Sequence, residues 1–314
     1  MARYLDPKND LTFKRIFGEH PDLLINFLNA VMPFEPDRLI VEVEYLPADM
    51  PPETPTKKYS IVDVRCRDNY KRQFIVEMQM FWNEAFYNRI VFNAGKAYVR
   101  QLDSREDYHL LQPVYTLAIL NQNFDRKTER FYHHYQIVNR ENTDEIIPGL
   151  EFILVELTDK FRPETMNDRK LMVLWLRFLD EVGESMRNLP PEMQENEFIR
   201  QAAELCEVGA FTPEELATYD KYWDIIRTER TLREGALREG RAAGRAEGEA
   251  KGRAEGEAKG RAEGRAEGLV EGEAIGLEKV VINSNQAGYT AEAIAAITGL
   301  TLEQVTAILR RIEH

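Results

Sequence analysis

The sequence predicts an α/β protein: a mixed central sheet flanked by helices, then a helical region, a long glycine-punctuated helix and a small helix-turn-helix-like tail. Three observations support this prediction. Segments with helical apolar spacing alternate with short strand-like runs through the first 121 residues. Their order is a helical start, three strands, a helix and another strand, which is typical of a sheet with helices packed against it. The hydrophobic fraction of 43% is large enough to fill a core.

The first two elements are predicted helices. Residues 10–18 place Phe13, Ile16 and Phe17 on one face, and residues 21–32 keep the 3.6-residue apolar spacing after a proline that suits a first turn. These two segments therefore each offer one apolar face to the predicted sheet.

Strands follow the two helices. Residues 38–46 alternate, and residues 59–67 and 73–81 predict two strands joined as a hairpin by the sequence DNYK. Residues 84–102 predict a helix with one apolar side, and the continuously apolar residues 113–121 predict a buried strand. The remaining segments are strand-like pieces within 130–165 and helical patterns over 166–234.

A four-residue repeat begins where the helical region ends. From residue 240 to residue 276 every fourth residue is glycine, and acidic and basic residues alternate at i, i+4 between the glycines. Each such charge pair stabilises a helix by about 0.2–0.5 kcal/mol, whereas each glycine costs about 0.8–1.0 kcal/mol relative to alanine. An isolated helix is therefore marginal. We expect a helix that forms fully only in a dimer, because small residues let two backbones approach; the alternative is a flexible charged tether.

The tail resembles a helix-turn-helix. In residues 290–311 the predicted core is Ile294, Leu300, Val305 and Ile308, with a glycine at the turn. The predicted second helix carries few basic residues. A small helical pair used for oligomerisation and a DNA-reading module both remain open.

The composition excludes several classes of protein. No run of about 18 apolar residues occurs, and the first ten residues lack the apolar stretch of a signal peptide, so no membrane span is expected. Cys66 and Cys206 have no metal-ligand spacing, which predicts reduced thiols in a cytoplasmic protein. The net charge of −13 argues against a surface that binds polyanions throughout, although residues 57–72 are locally basic.

Two acids stand in the predicted hairpin where a strand usually buries apolar residues. Strand alternation puts Asp63 on one face of the first strand, with Val62 and Val64 opposite, and puts Glu77 and Gln79 on one face of the second. If these faces coincide, the two carboxylates converge and raise each other's pKa. A divalent cation would relieve this repulsion and activate water. The alternative is a pair of half-exposed acids at a sheet edge, paired with nearby basic residues.

The combination of segments DLTFKRIFG, LLINFLNAV, VDVRC, FIVEMQM and PVYTLAIL resembles the Rpn-type recombination-promoting nucleases, or putative transposases, of the PD-(D/E)XK nuclease superfamily. The similarity runs through roughly residues 4–235, and the glycine repeat and helical tail are also similar to family members. The resemblance implies a restriction-endonuclease-like core over residues 1–165. A helical extension would follow over 166–235, then the repeat over 236–280 and the tail over 281–314.

The resemblance also implies a Mg²⁺-dependent catalytic site. Asp63 matches the metal-binding acid of the second core strand, and Glu77 and Gln79 match the E-x-K positions of the third. Asp10 matches an acidic position in the first helix and is a further candidate ligand. Gln79 replaces the lysine of the superfamily motif, and an amide supplies no positive charge.

The predicted function is a cytoplasmic, Mg²⁺-dependent DNA endonuclease that promotes recombination on double-stranded DNA, without an organic cofactor or a membrane. Its candidate DNA-binding residues are Arg65, Arg67, Lys71 and Arg72. A homodimer through the C-terminal region would bring two sites to opposite strands. Arg89 and Arg100 could reach a phosphate backbone, but they are interpreted as solvated charges on a helix face. The alternative is a catalytically weak or inactive protein that binds DNA or a partner and oligomerises through its C-terminal region.

Overall fold

The computed structural model describes residues 4–52, 58–124, 127–163 and 170–311. The chain divides into two compact units, Met1–Glu229 and Arg230–His314. The predicted boundary between residues 165 and 166 lies outside the described residues. The α/β fold class is confirmed.

The sheet of the first unit is mixed and six-stranded. Its spatial order is β1-β4-β5-β6-β8-β7. The pairs β5–β6 and β6–β8 are parallel, and the other three are antiparallel. The strands are β1 (Val43–Tyr45), β4 (Val64–Asp68), β5 (Gln73–Gln79), β6 (Val114–Leu120), β7 (Tyr132–Val138) and β8 (Ile146–Glu156). Two further strands, β2 (Asp49–Met50) and β3 (Ser60–Ile61), pair separately.

Helices cover both faces of this sheet. The helix α3 (Glu84–Val99) lies on one face, where Ala94 and Ala97 pack with Ile75 of β5. The opposite face packs against the helices α1 (Asp10–Glu19), α2 (Pro21–Val31), α4 (Lys170–Glu181) and α6 (Glu197–Leu205). The short helix α5 (Pro191–Glu195) contributes Met193 to the same core.

The largest core joins the N-terminal helices to the predicted helical extension. Trp175 of α4 is fully buried, contacts the rings of Phe17, Phe27 and Phe178, and donates from Nε1 to Asn26 Oδ1 at 2.8 Å. The extension therefore packs in the same core as the sheet.

Helix α7 (Pro213–Gln286) begins in the first unit. There, Tyr222 and Trp223 pack with Met80, Phe81 and Ile226. Thus the first turns of α7 cover the chain just beyond the end of β5.

The second unit contains the rest of α7 and two short helices, α8 (Ala291–Thr298) and α9 (Leu302–Arg310). The repeat is helical in a single chain, and i, i+4 pairs such as Arg245–Glu249 at 2.8 Å lie on its surface. Val281, Ile294 and Val305 are buried together, and Gly299 takes φ +73° between α8 and α9. In the described part of the chain no single helix has the length and apolarity to cross a membrane; α8 and α9 meet those criteria only jointly, with a bend of 115°.

Candidate functional site

Asp63 stands at a bend directly before β4, one residue outside the antiparallel pair Val64–Val76. The next residue along β5 is Glu77, so the register brings the two acids to neighbouring positions. The backbone fixes the Asp63 carboxylate, because Oδ2 accepts a hydrogen bond from the Met78 N–H at 2.7 Å.

The bend changes the predicted alternation. The sequence predicts Val62 and Val64 on one face, as in a continuous strand. Instead, Val62 packs with the residues under α3, and Val64 packs in the largest core on the other face. Strand β3 ends at Ile61 and β4 begins at Val64, so Asp63 lies in the break between two short strands.

Glu77 lies on the face of β5 that α3 covers and is 4% exposed. Its Oε1 accepts from Asn93 Nδ2 at 3.2 Å, and its Oε2 accepts from Arg89 Nη2 at 3.0 Å. Both donors belong to α3 and stand four residues apart, so one face of the helix holds both carboxylate oxygens.

Gln79 is held at both ends of its amide. Nε2 donates to the Phe81 carbonyl at 2.6 Å, and Oε1 accepts from Arg89 Nη2 at 2.5 Å. Arg89 thus contacts both Glu77 and Gln79.

The acids of this region interact electrostatically. Burial, together with the charges of Glu77 and Asp10, raises the pKa of Asp63 to about 7, against the lowering effects of the Met78 N–H and Lys14. Burial also raises the pKa of Glu77, against the charge of Arg89 and the hydrogen bonds from Asn93 and Arg89. The site therefore favours either a proton or a cation on these carboxylates.

Asp10 is the first residue of α1, and its Oδ1 lies 2.9 Å from Lys14 Nζ. A groove of about 400 Å³ opens beside it, lined by α1 and the first turns of α7, including Lys221 and Tyr222. Burial and then the charges of Asp10 and Asp63 raise the pKa of the Tyr222 phenol. The groove thus lies beside Asp10, and Tyr222 in its lining is close enough to Asp63 to respond to its charge.

The donor set fits a hard divalent cation. Asp63 Oδ1 has no hydrogen-bond partner within the described residues, and Mg²⁺ is commonly held by one or two carboxylates with waters completing its shell. No group of three His, Cys, Asp or Glu side chains that could hold a metal occurs in residues 4–52, 58–124, 127–163 and 170–311. Asp10 is therefore not joined to Asp63 and Glu77 as a third ligand.

Arg72 does not lie where the sequence predicts a DNA contact. It is 2% exposed, its Nε lies 2.6 Å from Asp68 Oδ2, and its Nη2 donates to the Arg38 carbonyl at 2.8 Å. Its guanidinium also stacks over the ring of Phe34. Arg72 thus closes the turn of the β4–β5 hairpin and is a structural residue. Lys57 of the basic segment lies outside the described residues.

The other three predicted DNA-binding residues lie nearer the surface. Arg65 Nη2 donates to Gln73 Oε1 at 2.9 Å, and Arg67 pairs with Glu44 at 2.6 Å. Lys71 is exposed in the hairpin turn with φ +66°. Among the contacts of the described residues, none joins these three side chains to Asp63 or Glu77.

Sequence reasoning missed the two residues of α3 that hold Glu77. The interpretation of Arg89 as a solvated helix charge is incomplete, since its half-exposed side chain also pairs with the buried carboxylate of Glu77. Asn93 is fully buried and continues the apolar stripe of Phe86, Ile90 and Ala97. A polar residue within an apolar stripe is the signal that could have identified it.

A family model described as PD-(D/E)XK nuclease family transposase matches residues 7–230. No curated protein and no solved structure matches the chain.

Proposed function

The chain belongs to the PD-(D/E)XK nuclease family transposases, and from this we propose that it is a Mg²⁺-dependent DNA endonuclease that promotes recombination. Its proposed substrate is double-stranded DNA, and we propose the cytoplasm as its location. The observation that carries the proposal is the position of Asp63 directly before β4, where the register brings it next to Glu77 of β5, with the pKa of each acid raised.

Asp63 and Glu77 are the proposed metal ligands. The Met78 N–H orients Asp63, and Asn93 orients Glu77, so both carboxylates are held in a fixed orientation before a metal binds. A bound divalent cation supplies charge stabilisation at the phosphoryl group and lowers the pKa of water. Gln79 is the proposed residue that orients water or the scissile phosphate. In hydrolysis the attacking water gives up a proton to solvent as its oxygen joins phosphorus, and the bond to the leaving sugar oxygen breaks as that oxygen takes a proton from solvent.

The substrate backbone is proposed to approach along the groove between α1 and α7. Lys14 and the exposed Lys221 line this groove beside Asp10. Arg65 and Arg67 on β4, and Lys71 in the turn that follows β4, remain proposed contacts. Phosphate contacts of this kind make binding fall steeply with salt.

A homodimer through the C-terminal region is part of the proposal. Leu269 and Val270 are 63% and 67% exposed at the end of the repeat. Burying such side chains between two copies would be favourable. In light scattering, the wild type should have a dimer's mass and Leu269→Glu/Val270→Glu a monomer's mass, with Tyr108→Glu as a control. A monomeric wild type, or a dimeric variant, contradicts the dimer.

Plasmid cleavage tests the nuclease. Supercoiled DNA should be nicked with Mg²⁺ and spared with EDTA, and Asp63→Asn should reduce cleavage below detection while its melting curve stays cooperative. The matched control is Glu192→Gln, an exposed carboxylate paired with Arg177. Cleavage that survives Asp63→Asn refutes the site. DNA binding without cleavage by the wild type favours the alternative of an inactive binding protein.

A further inference from the structure

The site has no positive charge at the motif position that usually carries one. Gln79 occupies that position, and its amide is neutral. The structure brings a cation to the same point from another element. Arg89, on α3, reaches Gln79 Oε1 at 2.5 Å and Glu77 Oε2 at 3.0 Å.

The contacts of Arg89 fix its position and leave donors free. Its guanidinium Cζ lies over the ring of Phe86, 4.9 Å from the ring centroid. Both hydrogen bonds come from Nη2. A guanidinium carries five N–H donors in a rigid fork. Within the described residues, Nε and Nη1 have no acceptor among the protein's contacts.

The exposure of the two partners differs in a way that suits a substrate anion. The side chain of Glu77 is 5% exposed, whereas that of Arg89 is 47% exposed. Arg89 thus extends from a buried carboxylate to the solvent side. An incoming phosphate would meet the guanidinium on that side.

We propose that Arg89 is a catalytic residue that contacts a non-bridging phosphoryl oxygen and supplies the charge that Gln79 lacks. This inference rests on the proposed nuclease function. In hydrolysis, charge on the phosphoryl oxygens and on the leaving sugar oxygen is stabilised by fixed donors. Arg89 supplies such donors at the Gln79 position, and Gln79 Oε1 holds the guanidinium in place.

The competing role for Arg89 is that of a counterion that only neutralises Glu77. The two roles differ in what a replacement does. A counterion could be removed with little loss of kcat, because bound Mg²⁺ would take over the neutralisation of Glu77. A catalytic cation could not be removed without loss, but its charge could be supplied from residue 79 instead.

The experiment compares Arg89→Gln, Arg89→Lys and the double variant Arg89→Gln/Gln79→Lys on a duplex oligonucleotide. Arg89→Gln should lower kcat by roughly 100-fold. Arg89→Lys should stay within about tenfold of the wild type because it keeps the charge. The double variant should recover at least about tenfold over Arg89→Gln. The control is Arg177→Gln, an arginine of α4 paired with Glu181 and Glu192.

Two readouts besides activity accompany the kinetics. Melting curves with and without Mg²⁺ report metal binding, which Arg89→Gln should preserve or strengthen because Glu77 loses a competing cation. Duplex binding in Ca²⁺ reports affinity without turnover. A folded Arg89→Gln variant with wild-type kcat overturns the inference, as does a folded double variant without recovery. Should Arg89→Gln fail to fold, a folded Arg89→Lys that has lost about 100-fold overturns it.

The outcomes separate this inference from the proposed function. A wild-type protein that does not cleave DNA with Mg²⁺ would refute both the proposed function and the role of Arg89. A wild type that cleaves, sensitive to Asp63→Asn but indifferent to Arg89→Gln, removes only the role of Arg89.

Discussion

The two units of this protein form helices for different physical reasons. In the first unit, helices such as α4 bury a full apolar face, and Trp175, Phe13 and Phe17 have no measurable exposure. In the second unit every residue from 236 to 276 is exposed. Helices of the first unit are held by burial, whereas the repeat depends on local charge pairs working against the propensity of glycine.

This difference teaches where the chain can tolerate change. An added Cβ would meet nothing within 4 Å at any glycine from Gly240 to Gly276. Core positions of the first unit have no such freedom, because close packing makes each lost methylene costly. Substitution by alanine should therefore destabilise the first unit at its core positions and stabilise the second unit at its glycines.

The largest expected effect is in the core of the first unit. Trp175→Ala should lower the free energy of unfolding by about 3–5 kcal/mol, since it removes three ring contacts and leaves Asn26 without its donor. Urea unfolding followed by the fluorescence of Trp82 and Trp223 measures the loss. The control Tyr108→Ala, at an 85% exposed position, should change little. A loss below about 1 kcal/mol would contradict a burial-driven core.

The second effect is a pH dependence of the stability of the first unit. The folded-state pKa of Asp63 is raised to about 7 from 3.8. Between these values the folded state holds a proton that the unfolded state has released, so stability falls as pH rises from about 4 to 7. The Tm of the metal-free first unit should fall over this range. Asp63→Asn should flatten the dependence, and Mg²⁺ should raise Tm more at pH 8 than at pH 5. A variant with an unchanged slope rules out Asp63 as the source.

The apolar patterns were enough to predict the fold class. Phe13, Ile16 and Phe17 lie on the buried face of α1, as their spacing predicts. Pairing over long sequence distances is different. Strand β8 lies between β6 and β7, and no spacing in the sequence encodes that order. The mixed sheet was predictable, but its order was not.

The candidate site divides in the same way. Alternation puts Glu77 and Gln79 on one face, and in the structure both contact Arg89. The position of Arg89 was not predictable, because a helical pattern identifies the apolar face but not the partner of a residue beside it. Arg72 was misplaced because a basic residue in a turn looks exposed. Its partner Asp68 is only four residues away, but the guanidinium is covered by the ring of Phe34, which is distant in the sequence.

The third effect raises stability. Gly256→Ala with Gly260→Ala should stabilise the helix by about 0.8–1.0 kcal/mol per residue, since nothing opposes either methyl group. Circular dichroism at 222 nm through a thermal scan measures it, with Ala258→Gly as the matched reverse control. If the dimer packs through the glycine row, the same substitutions should weaken it, since two added methyl groups would separate the backbones. Higher helicity with a weaker dimer would locate the proposed interface on that row.

The smallest effect concerns a single charge pair of the repeat. Arg245 Nε lies 2.8 Å from Glu249 Oε1, and both side chains are largely exposed. Arg245→Gln removes about 0.2–0.5 kcal/mol, which should speed hydrogen exchange of the neighbouring amides by about twofold. The difference should disappear in about 1 M salt, where screening reduces the Debye length to about 3 Å. Equal exchange of wild type and variant at low salt would show that charge pairs do not hold the repeat. The helix of the repeat would then also have to be stabilised by burial, and a second copy of the chain would have to provide it.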